Sequence, residues 1–114
     1  MNQNLPFEVL RQLRAQGKTL ATAESCTGGL IGKLLTDVPG SSEVYMGGVI
    51  SYTNGVKHRL LGVSEDTLRV YTAVSRQTAH EMARGAREAV RADVGVSVTG
   101  LAMSMPHTSA ICLR

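Results

Sequence analysis

The sequence predicts an α/β fold in which helices cover both faces of a largely parallel sheet. Three observations support this layered α/β/α arrangement. The chain has 114 residues, which is the length of one domain. Short apolar or β-branched runs alternate with segments whose apolar residues have helical spacing. The sequence shows no internal repeat and no low-complexity linker, so a single domain is expected.

The N-terminal part is predicted to form a helix, a strand and a second helix. Asn4 is a candidate N-cap of the first helix. A short strand follows over residues 19–23, and after a polar turn the second helix begins near Gly28 and ends near Asp37. Three apolar residues share one face of the first helix: Phe7, Leu10 and Leu13.

The middle of the chain is predicted to contain a strand over residues 44–52 and a short helix. The strand is rich in β-branched and aromatic residues, and Gly47-Gly48 within it marks a bulge or a close backbone approach. Asn54 is the candidate cap of the short helix, and Gly62 ends it.

The clearest helix follows Ser75, its candidate cap, and a strand over residues 93–98 comes next and ends at Thr99-Gly100. Residues 101–114 have no recognisable period. They are consistent with a final strand and a frayed end, or with a chain that is truncated or read out of frame after Gly100. The predicted inner face of the helix consists of Ala79, Met82, Ala86 and Ala89.

Composition and charge exclude several classes of protein. Only 18% of the residues are charged and 43% are hydrophobic, which excludes a disordered chain. The net charge of +3 is modest and the arginines are interspersed with acids, so nucleic acid is not expected as a partner. The stripe of Arg84, Arg87 and Arg91 is consistent with a solvated face, and a phosphate-binding patch is the alternative.

The cysteine count and the lack of long apolar runs suggest a compartment. Cys26 and Cys112 are too few for a disulfide framework or a four-ligand zinc site. No metal-ligand spacing occurs, so we expect neither a metal nor another cofactor. No apolar run reaches about 18 residues and no signal peptide is recognisable. A cytoplasmic protein that does not contact a membrane is therefore expected.

Ser25 is the first candidate for chemistry. It lies between a predicted strand and a predicted helix, at the edge where open α/β sheets bind ligands. The amides of Thr27, Gly28 and Gly29 could hold an anion or an oxyanion at the start of this helix. Serine and threonine before a helix are usually only caps, so that interpretation stays open.

A nucleophilic serine needs a base, and Lys57 is the best candidate. It lies one turn into the short helix after Tyr52, near the end of the second predicted strand. If the two strands are neighbours, Lys57 and Ser25 lie on the same rim, and burial would lower the pKa of this lysine. A surface lysine is the alternative. Other candidates are expected to be exposed or structural: His58, His80 and Cys26.

One segment, TAESCTGG over residues 22–29, resembles the signature of the CinA C-terminal family, the nicotinamide-nucleotide amidases. The resemblance covers about residues 5–100. Further segments resemble the same family in the same order: DVPGSS (37–42), GGVISYTN (47–54) with Lys57, LLGV (60–63), AVS (73–75) and VTG (98–100).

The resemblance implies an amidase that converts nicotinamide mononucleotide, a small-molecule nucleotide, to nicotinate mononucleotide and ammonia. It implies Ser25 as the nucleophile and Lys57 as its base, with Tyr52 and Thr99 lining the substrate pocket. For the oxyanion we expect backbone amides at residues 27–29 or at the Gly47-Gly48 approach. The other residues expected to bind substrate are Glu24, Thr27, Gly28, Gly29, Gly47 and Gly48.

The tail departs from the family pattern, because Met103-Ser104-Met105-Pro106 stands where the family has glycines. We therefore expect residues 1–100 to form an incomplete CinA C-terminal-like domain and residues 101–114 to be a divergent tail. A sheet that lacks a strand would have an open edge and uncovered apolar surface, so a homo-oligomer is expected.

Three functions stay open from the sequence. The first is an active amidase, and the second is a non-catalytic relative that keeps the pocket and binds a nucleotide. The third is a basic interaction module that uses the arginine stripe.

Overall fold

The computed structural model describes residues 4–100 and 107–113. Within these residues the chain forms five helices and four strands, and a single 3-10 turn precedes the second strand. The elements are α1 Leu5–Ala15, β1 Leu20–Glu24, α2 Leu30–Thr36, the 3-10 turn Ser41–Glu43, β2 Tyr45–Ile50, α3 Asn54–Leu61, α4 Glu65–Tyr71, α5 Arg76–Ala89, β3 Val94–Gly100 and β4 His107–Leu113.

The four strands form one sheet in the order β2-β1-β3-β4. β1 is parallel to both β2 and β3, whereas β4 is antiparallel to β3. The predicted single α/β domain with a largely parallel sheet is thus confirmed. Because the chain leaves β1 toward β2 on one side and returns to β3 on the other, the carboxyl end of β1 is the switch point where such sheets bind ligands.

Alternate residues of β1 pack on two separate cores. Ala21 and Ala23 are fully buried against α3 and α5, in a core with Leu61 and Met82. Leu20 points to the opposite face, where the second core lies against α1 and α2. Such an alternation is what a strand covered by helices on both faces requires. The second core consists of Leu10, Leu20, Leu35, Val44 and Val94.

β3 and α5 approach each other so closely that only glycine fits at one position. A Cβ on Gly95 would lie 2.1 Å from the carbonyl oxygen of Ala83. Two residues later, the Ser97 hydroxyl donates a 2.6 Å hydrogen bond to the Ala79 carbonyl of the same helix. The small residues on α5 therefore bring the helix axis close to the sheet and fix its position.

Several local predictions are confirmed and others are wrong. Ser75 caps α5 by accepting a hydrogen bond from the Thr78 amide, and Gly62 ends α3 as predicted. Thr53, not Asn54, caps α3, since its side chain accepts from the Val56 amide.

The predicted inner faces of two helices are wrong at one residue each. Phe7 of α1 is 56% exposed, and Ala89 in the last turn of α5 is exposed. The side chain of Asn4 makes no capping hydrogen bond to α1. Helix α4 was not predicted; it begins after Ser64, whose hydroxyl accepts hydrogen bonds from the Asp66 and Thr67 amides.

The tail supplies a strand, which is the first of its two interpretations. β4 pairs with the whole of β3, so the edge of β3 expected to be open is covered. The family's glycine positions at 103–106 lie outside the described residues. The family departure expected to begin after Gly100 is thus compatible with a regular final strand.

Apolar surface, which was expected to be uncovered, is exposed on the face of the sheet that α1 and α2 cover. A groove of about 560 Å³ runs between α1, α2 and the sheet. Among its lining residues, Leu5 is 48% exposed and Ile111 of β4 is 65% exposed. Within the described part of the chain, no helix is both long and apolar enough to cross a membrane.

The contact between β3 and α5 makes a prediction about stability. We expect Gly95→Ala to lower the free energy of unfolding by about 2 kcal/mol or more, because the added methyl group collides with the Ala83 backbone, which cannot move aside. Gly55→Ala is the matched control, since its Cβ would meet only the end of the flexible Arg59 side chain. Urea denaturation measures both variants, and equal effects at the two positions would contradict the prediction.

Candidate active site

The nucleophile candidate is buried at the carboxyl end of the central strand. Ser25 follows the last residue of β1 directly and is only 2% exposed. Glu24 pairs with Ile50 on one side and Val98 on the other. Its carbonyl accepts a 2.7 Å hydrogen bond from the Ser51 amide, so the pairing of the two strands continues to the level of the site.

Lys57 reaches the same place from helix α3. The Thr53 cap starts the helix directly after β2, and the Lys57 amide bonds to the Thr53 carbonyl at 3.0 Å in the first turn. Helical side chains lean back toward the start of their helix, which directs this long side chain to the end of the sheet. Lys57 is 1% exposed and is therefore not the surface lysine of the alternative interpretation.

The Lys57 amine lies within hydrogen-bond distance of three oxygens. Nζ is 3.0 Å from the Ser25 hydroxyl, 2.8 Å from the Ser51 carbonyl and 3.1 Å from the Tyr52 carbonyl. The predicted Ser25–Lys57 pair is thus in direct contact. The two carbonyl oxygens can only accept hydrogen bonds, so each of them binds one N–H group of the lysine. The remaining N–H group or lone pair of Nζ is thereby directed toward Ser25.

Burial favours the neutral form of this lysine. Desolvation lowers the pKa of Lys57 below its usual range, and the electrostatic interaction with Cys26 is a smaller effect in the opposite direction. A neutral amine has two N–H groups and one lone pair. With both N–H groups donated to carbonyls, the lone pair faces the Ser25 hydroxyl and can accept its proton.

The turn after Ser25 uses several of the groups that were expected to contact substrate. The Gly28 amide donates to the Ser25 carbonyl at 3.1 Å, so it is spent within the turn and is a poor oxyanion donor. The Thr27 hydroxyl donates to the Glu24 carboxylate at 2.8 Å. Gly29 takes a left-handed conformation, with φ of 107°, at the start of α2.

The Glu24 carboxylate is also occupied by hydrogen bonds within the protein. Glu24 is 2% exposed, and its carboxylate accepts hydrogen bonds from the Ile31 and Gly32 amides of α2 in addition to the Thr27 hydroxyl. A direct contact between Glu24 and substrate, as expected from the sequence, has no geometric support.

Tyr52 and Thr99 lie at the same end of the sheet with opposite exposures. The Tyr52 side chain is 68% exposed at the rim, while its carbonyl holds Lys57. Thr99 is fully buried and donates a 2.7 Å hydrogen bond to the Ala73 carbonyl, which fixes the loop before α5. A role of either side chain in binding substrate stays a prediction.

The glycine pair in β2 is not at the site. Gly47 and Gly48 pair with Ala21 and Thr22, below the carboxyl end of β1. A Cβ on Gly48 would lie 2.2 Å from the Thr22 hydroxyl oxygen, so the predicted close backbone approach is present but serves strand packing. The glycine pair therefore offers no geometric support as an oxyanion site.

The two carbonyls that hold Lys57 and the loop carbonyl at Ala73 were not predicted from the sequence. Backbone carbonyls occur at every residue, so no residue type could have pointed to them. The one available signal was Lys57 itself, whose ammonium or amine must find acceptors if it is buried.

Other candidate groups lie outside this arrangement. His58 contacts Glu65 at the surface and His80 is exposed, as expected. Arg84, beside Glu88, and Arg91 are exposed as a solvated face requires, whereas Arg87 is half-buried, so the expected solvated stripe is present only in part. Both cysteines are free, and the described residues contain no group of three or more His, Cys, Asp or Glu side chains that could hold a metal ion.

The fold and the site together define an α/β protein with a buried serine–lysine pair at the switch point of its sheet. The sequence model of the CinA C-terminal domain matches residues 2–110. This chain belongs to the CinA C-terminal domain family. The match extends into β4 and so includes part of the tail that was expected to diverge.

Relatives of known sequence or structure agree with this membership. A CinA-like protein of Leptospira interrogans is 57% identical over 97 residues, and one of Thermotoga neapolitana is 50% identical over 94 residues. These regions are 84% and 82% of this chain but 23% of each relative, so the chain spans about a quarter of the length of these curated relatives.

Solved structures show the same fold over nearly the whole chain. The crystal structure of the competence/damage inducible protein CihA from Agrobacterium tumefaciens has a TM-score of 0.92 and 40% identity. It matches 98% of this chain, which covers 73% of that structure. A CinA superfamily protein from Escherichia coli has a TM-score of 0.85 and 30% identity, with 98% and 76% coverage.

The buried lysine makes stability depend on pH. Its pKa is lowered in the folded chain and returns to about 10.4 on unfolding. Between these two values the unfolded chain binds the extra proton, so stability rises with pH, by up to about 1.4 kcal/mol per unit. We expect the stability of the wild type relative to Lys57→Met to increase with pH up to about 10.4.

Urea denaturation at a series of pH values measures this difference. Lys18→Met is the matched control, since Lys18 is exposed and should give no such slope. If the stability difference between the wild type and Lys57→Met does not change from neutral pH to about pH 10.4, the pKa of Lys57 is not lowered in the folded chain and the prediction is wrong.

Proposed function

We propose that this chain is an amidase that hydrolyses the carboxamide of nicotinamide mononucleotide to nicotinate mononucleotide and ammonia. The observation that carries the reaction type is the 3.0 Å contact between Lys57 Nζ and the Ser25 hydroxyl in a buried site. The substrate rests on the resemblance of residues 22–29 to the nicotinamide-nucleotide amidases. The relatives' names state only competence or damage induction and CinA similarity.

In the first half of the reaction, Ser25 forms an ester with the substrate. Its oxygen attacks the amide carbon while the hydroxyl proton passes to the lone pair of Lys57. The resulting ammonium is held by the Ser51 and Tyr52 carbonyls. When the tetrahedral intermediate collapses, Lys57 returns the proton to the departing nitrogen and ammonia leaves.

In the second half, water replaces the serine. Lys57, neutral again, takes a proton from water as its oxygen attacks the ester carbon. The C–Oγ bond then breaks, Lys57 returns the proton to Ser25, and the product leaves as the carboxylic acid, which loses its remaining proton to solvent. Because both halves need the neutral amine, kcat/KM should rise with pH through the lowered pKa of Lys57.

The Tyr52 ring lies at the rim and can contact a flat pyridine ring, because this residue is 68% exposed. Thr99 contributes by fixing the Ala73 carbonyl and the loop before α5. The Thr27 and Gly29 amides are the remaining candidates of the predicted set for the oxyanion.

A second candidate function is nucleotide binding without turnover. It is favoured by one observation, since the Gly28 amide, one of the predicted oxyanion donors, donates to the Ser25 carbonyl instead. A chain with the pair intact but with a changed site would bind nicotinamide mononucleotide, measurable by calorimetry, and release no ammonia.

The amidase proposal predicts the effects of removing the pair. Ser25→Ala should reduce ammonia release from nicotinamide mononucleotide by about a thousandfold or more, because the attacking oxygen is lost. Lys57→Ala should cause a similar loss, and the double variant should be little worse than either, because the two residues act in one step.

Ser42→Ala is the matched control for the serine change, since Ser42 is exposed in the turn before β2. Circular dichroism establishes that each variant is folded. Retained activity in Ser25→Ala would remove the assigned nucleophile, and additive losses would argue against a shared step. A folded wild type that binds the nucleotide without releasing ammonia would favour the second candidate.

A cytoplasmic location and a homo-oligomer belong to the same proposal. Free thiols at Cys26 and Cys112 support a reducing compartment. The groove between α1, α2 and the sheet supports self-association, because apolar side chains such as Val9 and Ile111 are exposed along it.

Self-association can be tested at the groove. We expect the wild type to sediment as a dimer or larger species, and Val9→Glu to sediment as a monomer, because a charge in the groove opposes burial of its apolar lining. Val70→Glu is the matched control, since Val70 is 57% exposed on α4 and does not line the groove. A monomeric wild type in sedimentation equilibrium would contradict this part of the proposal.

A further inference from the structure

The carboxylate of Glu24 forms the connection between β1 and α2. Its Oε1 accepts hydrogen bonds from the Thr27 hydroxyl and the Ile31 amide, both at 2.8 Å. Its Oε2 accepts from the Gly32 amide at 2.9 Å. With three donors on a side chain that is 2% exposed, the carboxylate is bonded within the protein and is not open to a substrate.

Helix α2 depends on this carboxylate because it lacks a cap of its own. The residue before its first turn is Gly29, which has no side chain to accept the free amides. Glu24, five positions earlier, accepts from the second and third amides of the helix instead. A Cβ on Gly32 would lie 3.4 Å from Oε2 and 2.9 Å from the Tyr45 hydroxyl, so the absence of a side chain there gives the carboxylate room.

The backbone of Glu24 is tied to the other half of the site. Its carbonyl accepts from the Ser51 amide at 2.7 Å and from the Ser51 hydroxyl at 3.3 Å. Ser51 in turn holds Lys57 through its own carbonyl. Glu24 thus connects two parts of the site. One is the segment at Ser51, which holds Lys57, and the other is helix α2, which follows Ser25.

We propose that Glu24 is a positioning residue for Ser25, whose carboxylate closes the turn of residues 25–29 and thereby holds the serine oxygen against Lys57. It touches neither the substrate nor the reacting atoms. The proposal rests on the proposed function, because it assumes that Ser25 is a nucleophile activated by Lys57. Loosening the turn should therefore lower the reactivity of Ser25 and leave Lys57 unchanged.

A fluorophosphonate probe measures the reactivity of Ser25 without requiring a known substrate. The serine oxygen bonds to phosphorus, fluoride leaves, and the serine proton passes to Lys57. The rate constant and the final extent of labelling are followed by intact mass, and peptide mapping locates the label. For Glu24→Gln we expect a rate constant at least about tenfold lower, because the amide side chain turns an N–H group toward a backbone donor.

Two readouts separate positioning from a purely structural role. A loss of stability alone would slow labelling only in proportion to the folded fraction, which circular dichroism measures, and would leave the rate constant of the folded fraction unchanged. The pH at which the labelling rate is half-maximal should stay at the wild-type value in Glu24→Gln, because Lys57 Nζ has no contact with the carboxylate in its hydrogen bonds to Ser25, Ser51 and Tyr52. A shifted midpoint would indicate that Glu24 acts on Lys57 electrostatically and would overturn the positioning role.

Thr27 offers a second and milder test of the same connection. Thr27→Val removes the hydroxyl that donates to Oε1 with little change of shape, and we expect labelling about threefold slower. Thr27→Ser keeps the hydroxyl and should restore the wild-type rate. If Glu24→Gln does not fold, this pair decides the proposal, and equal rates in Thr27→Val and Thr27→Ser would overturn it.

Asp37→Asn is the matched control for the loss of a carboxylate, because Asp37 is exposed at the opposite end of α2. Labelling of Glu24→Gln at the wild-type rate constant would overturn the proposal. A wild type that is not labelled at Ser25 would overturn both the amidase mechanism and this inference. Labelling without ammonia release would reject only the proposed substrate, and the rate constants would still decide the role of Glu24.

Discussion

The burial of one lysine amine among three oxygens is the constraint on which the site depends. Lys57 is 1% exposed, and its Nζ contacts the Ser25 hydroxyl and the Ser51 and Tyr52 carbonyls. Desolvation penalises the charged form, while the carbonyls fix the direction of the N–H groups. In a Ser-His-Asp triad a carboxylate orients the base. In the proposed reaction, the two backbone carbonyls that follow β2 orient Lys57 instead.

These carbonyls are available only because of how the sheet is arranged. β2 ends at Ile50, and the next residue, Ser51, stays hydrogen-bonded to Glu24 at the end of β1 before α3 begins. The Thr53 cap starts the helix at once, so Lys57 returns over the same carbonyls. The two faces of the sheet differ in their packing: α5 lies so close to β3 that Gly95 has no room for a side chain, whereas the α1 and α2 face retains an apolar groove.

Much of the fold could be predicted from local signals. Helical spacing and the Ser75 cap located α5, and glycine ended α3 at Gly62. Where two capping residues were adjacent, as at Thr53 and Asn54, the sequence could not rank them, because the choice depends on the direction in which the chain leaves β2. Helix α4 is short, with no buried residue, and so lacks the apolar periodicity by which a helix is recognised. Phe7 shares a face of α1 with Leu10 and Leu13 but is 56% exposed, because helical spacing assigns a side chain to a face without showing where the rest of the protein covers that face.

The sequence by itself determined the α/β class, the family resemblance and the identities of Ser25 and Lys57, because residue types and spacing are local properties. Only the tertiary structure decided that the pair is in contact, since 32 positions separate the two residues and the order of the strands brings them together. It also decided what Glu24 and Gly48 do. Their residue types suggested contacts with substrate, but hydrogen bonds to α2 and packing against Thr22 occupy them. Such roles depend on neighbours distant in sequence, which a local pattern does not contain.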